Sequence, residues 1–479
     1  MNVVEKAAEA ARHLFPPITS AERAATSSDL MNWSGITRLA RRDQIVRPTT
    51  MEEIIGVVRD QRYRRVKAVG SGLTFEAVAA VDPEDAGVMI DMGNFVGLEE
   101  IGEGRARFGA GTPVDVVISE LFKRGLMMPC SPGVIGIQTL AGAISTGSHG
   151  QGMKQSALSD MVTGVRIVHP DGDVVDIDED DENLGAYICS LGVLGVIRSI
   201  TIRTVPIRYF LCRKNNVAYK EFASSFLQWN QESEFCKAWW YPDTDLVHLW
   251  RIDESSPDSG GLPAAPAAVD KTLNGTIDVV SEKMSAHTKD AVRHGCQFAT
   301  IERFRNTSDQ AGYLHEIVCK GIPVPQINCE IAVPLDRFAD ALCALRSWLD
   351  THGGIQRLHY PFIFRCTGQS KAWISPANAG PVCYIGFLVY LAGDGTWVEG
   401  GMEMMRELQV ALAPCGGIPH FGKHFCPDLW RPADLFPRWA DFQALRRRLD
   451  PRSRFLNRFL EDIFNSEDAT PDHGEVSNA

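Results

Sequence analysis

The sequence predicts an α+β fold, and three observations carry that expectation. From Ile45 to Gly125 short apolar strands alternate with helices. The stretch Thr139–Gly152, TLAGAISTGSHGQG, sets four glycines among small hydroxyl residues and one histidine. Backbone of that kind can approach a ligand closely and offer it N–H groups. After Pro206 the chain turns to aromatic-rich strands and longer helices, which predicts a second sheet with helices on one face.

Taken in order, Val3–Leu14 predicts a helix that Pro16 and Pro17 end. Ile45–Pro48 is a short strand, and Thr50 caps a helix with Glu52 and Glu53 in its first turn. Ile54, Ile55 and Val58 share one face of that helix. Val66–Val69 is a strand running into Gly70-Ser71-Gly72. Gly87–Asp91, Phe95–Glu99 and Ala106–Ala110 read as short strands, and Val114–Arg124 as a helix stopped by Gly125. Leu158–Ile177 is a hairpin about Asp171-Gly172, and Tyr187–Thr204 closes the first domain with a strand.

Phe235–Arg251 is an aromatic hairpin whose Trp239, Trp240 and Trp250 fit a core or a ligand face equally well. Ser255–Ala267 is a loop by composition, and Thr272–Glu316 is helical in pattern. Strands at Asn328–Val333, Tyr360–Arg365 and Val382–Leu391 alternate with helices at Leu335–Gly353 and Trp397–Leu412. Pro437–Phe464 is a helix, a turn and a second helix, and the polar tail from Ser466 predicts disorder. The implied organisation is an extension over 1–30, a first domain over 31–206, a second over 207–423, a segment over 424–465 that returns to the first, and a tail over 466–479.

The 479 residues are 44% hydrophobic and 23% charged, with a net charge of −12. These are values of a soluble globular protein, and the acidic balance argues against nucleic acid as a partner. Twelve scattered cysteines form no C-x-x-C pair, so neither a zinc site nor a disulfide framework is expected. The N-terminus has no signal-like apolar run and no stretch is long enough to span a membrane. A soluble, cytoplasmic protein without a metal site is the expectation.

Neither glycine loop is a P-loop or a Rossmann fingerprint. Two such loops separated by strands suggest a dinucleotide held between subdomains. The blocks GSGLTF, TLAGAISTGSHGQG, LGVLGVIRSITIR and GGIPHFGK, in that order, resemble the vanillyl-alcohol oxidase family of flavoproteins, in its sugar-lactone and alditol oxidase branch. The resemblance runs from about Asn32 to Phe464. It implies a two-subdomain FAD-binding domain of the PCMH type and a substrate domain with an antiparallel sheet covered by helices. It also implies an enzyme that removes hydride from a CH–OH group or another activated C–H of a small molecule.

Implied cofactor contacts are Val69, Gly70, Ser71, Gly72, Leu73 and Thr74 in the first loop. In the second they are Thr139, Gly142, Ser145, Thr146, Gly147, Ser148, His149 and Gly150. Gly195, Val196 and Ile197 match the segment near the adenine end, and Lys423 the flavin end. The position that controls oxygen access falls at Pro132 or Gly133; family oxidases carry Gly or Pro there, which leans to an oxidase making hydrogen peroxide from O2. Leu73 stands where many relatives have a flavin-linking histidine, so FAD is expected to be noncovalent, with Cys130 as the alternative attachment point.

Arg365 follows the apolar run Phe362-Ile363-Phe364, where a lone buried charge would be costly, so it faces a partner or a polar pocket. The resemblance places it near flavin and substrate. His420 and Lys423 match the family's active-site block, and His424 lies just outside it. Ile363 replaces the glutamate of the family's Glu-x-Arg pattern, and Ile418 replaces an arginine. The pocket formed by Ile363, Arg365 and Ile418 is therefore expected to take a more hydrophobic substrate than a sugar, such as a secondary metabolite. The alternatives are a sugar-lactone or alditol oxidase, a dehydrogenase with another electron acceptor, and an FAD-holding cyclase or isomerase.

Overall fold

The computed structural model describes residues 29–82, 84–133, 135–242, 244–258, 260–264, 308–319, 326–351, 358, 360–390 and 400–465. The helices expected at Val3–Leu14 and over most of Thr272–Glu316, and the tail, lie outside these residues. The fold is α+β, with three main sheets.

The smallest sheet is parallel: β1 (Ile45–Val46), β2 (Arg65–Val69) and β3 (Gly87–Asp91) in the order β1-β3-β2. Helix α1 (Met51–Arg59) joins β1 to β2, and Thr50 caps it by accepting from the Glu53 N–H. Ile54 and Val58 bury its inner face. The second sheet is antiparallel and holds β4 (Leu98–Gly102), β5 (Arg105–Gly109), β6 (Val162–Val168), β7 (Val174–Asp178) and β8 (Val196–Arg203) in the order β7-β6-β8-β5-β4. The turn between β6 and β7 holds Gly172 at φ 87, which favours glycine. β4 begins three residues later than the strand read at Phe95, because Phe95 turns inward to the core. Helices α2 (Val114–Phe122) and α3 (Leu140–Ser145) lie between β5 and β6 in sequence.

The third sheet has nine strands among the described residues. They are β9 (Tyr209–Ala218), β10 (Phe235–Tyr241), β11 (Leu246–Ser255), β12 (Leu262–Pro263), β13 (Gln310–Tyr313), β14 (Gln326–Pro334), β15 (Phe362–Thr367), β16 (Val382–Tyr390) and β17 (Ile418–Pro419). Their order is β12-β13-β9-β11-β10-β15-β16-β14-β17. β13 is a strand inside the segment read as helical; it is held by pairing with β9. Helices α4 (Tyr219–Glu232), α5 (Phe338–Thr351) and α6 (Gly401–Leu412) cover one face. Phe362 and Phe364 point to that face, where Phe364 meets Phe222 and Phe338. Ile363 and Arg365 must then point to the other, because side chains alternate along a strand.

Helices α7 (Trp439–Leu449) and α8 (Arg458–Phe464), the last among the described residues, return to the parallel sheet. The Arg454 carbonyl accepts from the Val66 N–H at 2.8 Å, and Asn457 donates to the carbonyls of Ala77 and Ala80.

Candidate active site

The open face of the large sheet meets the second glycine loop. The Gly152 N–H donates to the Cys366 carbonyl at 2.8 Å, so the loop is bonded to the strand that carries Arg365. Strand register builds the face in rows. Trp239 pairs with Ile363, Ile363 with Gly386, and Gly386 with Glu330. The next row runs Lys237, Arg365, Tyr384, Ala332 and Ile418. Directly paired residues share a face. Trp239 and Trp250 belong to this face with Lys237 between them, its Nζ 4.8 Å and 4.1 Å from their rings. Trp240 points the other way, into the core against Tyr219 and Phe362. Ile418 lies in the Arg365 row, at the edge of the sheet and buried.

Glu330 is the residue that sequence reasoning missed. It sits inside the apolar run of β14, reaches across β16, and pairs with the Arg365 guanidinium through Oε1. It passes beside Gly386, where a Cβ would stand at ordinary contact distance, 3.8 Å from Glu330 Oε1 and 3.5 Å from the Ile363 Cβ. The carboxylate absent at Ile363 is thus supplied from two strands away. It is only 3% exposed, and Arg365 engages one of its oxygens. Burial works against its charge, but Arg365, His149 and Lys423 outweigh burial and hold the carboxyl well below the usual range.

His149 turns away from the glycine loop and stacks on Tyr384, with ring centroids 3.5 Å apart. Its Nδ1 lies 3.0 Å from the Gly150 carbonyl, which fixes the proton on that nitrogen. Its Nε2 faces Glu330 Oε2 at 3.5 Å and has no hydrogen-bond partner. Burial pushes the His149 pKa down, and likewise that of His420, whose ring centre is 5.3 Å away. His149, Glu330 and His420 converge closely enough to hold a cation in principle. However, His420 Nδ1 accepts from the Gly422 N–H at 2.9 Å, so the neutral ring carries its proton on Nε2 and has no lone pair left there. The charges of Arg365 and Lys423 further oppose a cation.

Lys423 is half-buried, its pKa lowered by burial, with its ammonium 5.9 Å from the Phe75 ring. His424, just outside the block, is expected to be either a surface group or a support behind the site, and the structure gives the second: it is largely buried and bridges to the first loop. Its Nδ1 meets Glu76 Oε1 at 2.5 Å, which joins this block to the end of the first glycine loop.

The two glycine loops interlock. A Cβ at Gly70 would lie 2.0 Å from Thr139 Oγ1, one at Gly150 would lie 2.3 Å from Ser131 Oγ, and Gly72 and Gly147 hold φ values of 67 and 71. Several hydroxyls expected to grip a cofactor are engaged by the loops themselves. Ser71 donates to the Ile137 carbonyl, Thr146 to the Gly142 carbonyl and Ser148 to Gln138, while Thr139 accepts from the Gly142 N–H. Buried polar atoms without partners lie beside them: Thr74 Oγ1, Ser131 Oγ and Gln151 Nε2. A small-residue cradle rimmed by unsatisfied polar atoms fits a ligand rich in oxygen such as a dinucleotide. Leu73 and Ser145 are half-buried in these loops. Val69 ends β2, and Val196 and Ile197 begin β8 behind Gly195, where a Cβ would strike the Val168 carbonyl at 2.3 Å. Pro132 and Gly133 are buried, and a Cβ at Gly133 would lie 2.9 Å from the His149 carbonyl. Cys130 is packed against Met161, and burial pushes its thiol up to about 12, so it is a poor nucleophile.

Comparison with known proteins identifies the family. The family described as D-arabinono-1,4-lactone oxidase matches residues 200–463, more than half of the chain. The chain belongs to that family. An FAD binding domain matches residues 43–178. An L-gulono-1,4-lactone dehydrogenase of Mycobacterium tuberculosis is 26% identical over 447 residues, covering 90% of this chain and 98% of that one. An alditol oxidase of a Streptomyces species is 26% identical and covers 92% and 100%. A cholesterol oxidase from B. sterolicum superposes with a TM-score of 0.75 at 16% identity over 91% of this chain and 96% of its own, a likeness of fold. The family member described here is an FAD-dependent oxidoreductase acting on CH–OH donors. Among the described residues no helix is long and apolar enough to cross a membrane.

Proposed function

We propose that the protein is an oxidase that takes hydride from the CH–OH of a relatively hydrophobic small molecule and passes the electrons to O2, with FAD held noncovalently. The flavin, when bound, supplies the hydride acceptor. The interlocked loops around Gly70, Thr139 and Gly150 would hold it, and Gly195, Val196 and Ile197 would lie at its adenine end. Arg365 would orient the substrate oxygen. Glu330 pairs with it on the buried side, and Lys423 would add a second positive group for the developing negative charge. His420 would keep its Nε2 proton available as a donor. The observation that carries the substrate class is Ile363 beside an Arg365 whose carboxylate partner is already engaged. Among the described residues the carboxylate of this row, Glu330, is buried and spends one oxygen on Arg365, which leaves little for the hydroxyls of a polyol.

Leu73 in the first loop and the buried, unreactive Cys130 support noncovalent FAD. Pro132 or Gly133, at the position where family oxidases carry Gly or Pro, supports oxygen access. Scattered free thiols fit a reducing, cytoplasmic setting. The test is the visible spectrum of the purified protein, repeated on supernatant and pellet after acid precipitation. Stopped-flow reoxidation of the alcohol-reduced protein by O2 follows. Flavin in the supernatant and fast reoxidation support the reading; flavin in the pellet, or reoxidation only by another acceptor, overturns the corresponding part. The named relatives favour a second reading, a sugar-lactone or alditol substrate. Strong turnover of L-gulono-1,4-lactone or xylitol would establish it.

A further inference from the structure

The row Trp239–Ile363–Gly386–Glu330 crosses four strands on the face that carries Arg365. Its members differ in kind. Gly386 is buried and carries no side chain, Glu330 reaches over it to Arg365, and Ile363 and Trp239 continue the row as hydrocarbon surface. Ile363 and Trp239 are both half-buried, while Phe362, Phe364, Ala238 and Trp240 beside them in sequence are buried. The Trp239 indole is held in place by Lys237 and by Trp250, which meets it edge-on at 5.1 Å. A fixed aromatic surface next to an isoleucine binds a flat apolar ring at little entropic cost.

We propose that this row is the substrate floor: the reacting carbinol sits beside Arg365 with its oxygen toward the guanidinium, and a flat hydrocarbon body lies over Ile363 and Trp239. The substrate class is then a cyclic, aromatic or ring-fused secondary alcohol whose neighbouring carbons carry hydrogen, not hydroxyl. The inference rests on the alcohol-oxidising reading above and gives it a shape.

The experiment uses the flavin-loaded protein, 1-indanone as a non-reacting ligand, and 1-indanol and xylitol as donors. Binding of 1-indanone is followed by tryptophan quenching and by the change in flavin absorbance. Turnover is followed by anaerobic flavin reduction. Trp239→Ala is expected to raise the Kd for 1-indanone at least tenfold with flavin content and Tm unchanged, and Trp239→Phe to stay within about threefold of wild type. Ile363→Glu is expected to lower kcat/KM for 1-indanol at least tenfold and to raise it for xylitol, because a carboxylate would then face the hydroxyls. Unchanged 1-indanone binding in Trp239→Ala, or a wild-type preference for xylitol that Ile363→Glu leaves as it was, overturns the floor. If Trp239→Ala does not hold flavin, Trp239→Phe and Ile363→Glu decide by the same criteria. Binding of 1-indanone with the expected variant pattern, but no reduction by either alcohol, keeps the floor and overturns the alcohol-oxidising reading.

Discussion

Glu330 holds three positive or proton-carrying neighbours in one small volume, so its removal should be felt more than that of any other single carboxylate. Glu330→Gln leaves the Arg365 guanidinium without its partner in a largely buried site. Breaking such a pair costs about 3–5 kcal/mol, since one charge stays buried and uncompensated. The expected outcome is a fall in Tm of several degrees and loss of most kcat, measured by thermal melts and by anaerobic flavin reduction. The acid limb of stability follows from the same cluster. Glu330 has a folded pKa below its unfolded value, so its contribution is present above about pH 4.5 and is lost as pH falls through the folded value. His149 and His420 also have lowered folded values, so below about pH 6.5 the unfolded chain binds protons that the folded site does not. Stability should therefore begin to fall near pH 6.5, and His149→Gln should flatten the slope between pH 6.5 and 5 in denaturant titrations. Arg365 is legible in the sequence because a charge ends an alternating apolar strand. Glu330 is not, because its partner is 35 residues away and only the register of β14, β16 and β15 brings the two together. His149 is legible as part of a ligand loop, but its turn onto Tyr384 depends on how a loop of one domain meets a strand of the other.

Elements meet at the site through a few short bridges, and His424 with Glu76 is one of them. It ties the block containing His420 and Lys423 to the first glycine loop. Burial alone would lower the His424 pKa, but hydrogen bonding to Cys426 and Glu76, together with the Glu76 charge, outweighs it and raises it to about 9. A raised folded pKa gives stability that is complete below about pH 6.5 and is lost as pH rises through 9. His424→Gln should remove that alkaline loss and lower stability at pH 6 by on the order of 1–3 kcal/mol, read from denaturant midpoints at pH 6, 8 and 9.5. Gly386 marks a second joint. A methyl group there would stand at ordinary contact distance from both Ile363 and Glu330, so Gly386→Ala should fold normally with Tm within about two degrees of wild type. It would press on the Glu330 carboxylate that holds Arg365, and kcat/KM should fall while flavin content is retained. Strand and helix types along the chain were readable from periodicity, including the hairpins at Asp171-Gly172 and Phe235–Arg251. The strand Gln310–Tyr313 was not, because four residues carry too little pattern and β9 supplies the reason for their shape.

Across the whole molecule the chain closes on itself: its last helices return to the strand that leads into the first glycine loop. The closure runs through Lys67, which is 1% exposed and donates from Nζ to the Phe455 carbonyl at 3.0 Å. Burial draws its pKa down from 10.5 to about 7, against the attraction of Asp450. The unfolded chain keeps this proton up to about pH 10.5, whereas the folded protein gives it up near pH 7. Over that interval the unfolded state binds more protons, so stability rises with pH. Lys67→Met keeps the buried stem, removes the titration and leaves the Phe455 carbonyl without its donor. The wild-type protein should therefore gain stability relative to Lys67→Met between pH 7 and pH 9.5, by on the order of 1 kcal/mol per pH unit. Urea midpoints of the two proteins at matched pH, each compared as a difference, cancel the opposing loss from His424. A difference that stays constant across that range would mean that Lys67 does not titrate in the folded state. Its hydrogen bond to Phe455 would still join the C-terminal segment to the glycine loop, beside Arg65, which donates to the Ser453 carbonyl and pairs with Glu461, and beside Arg454 and Asn457.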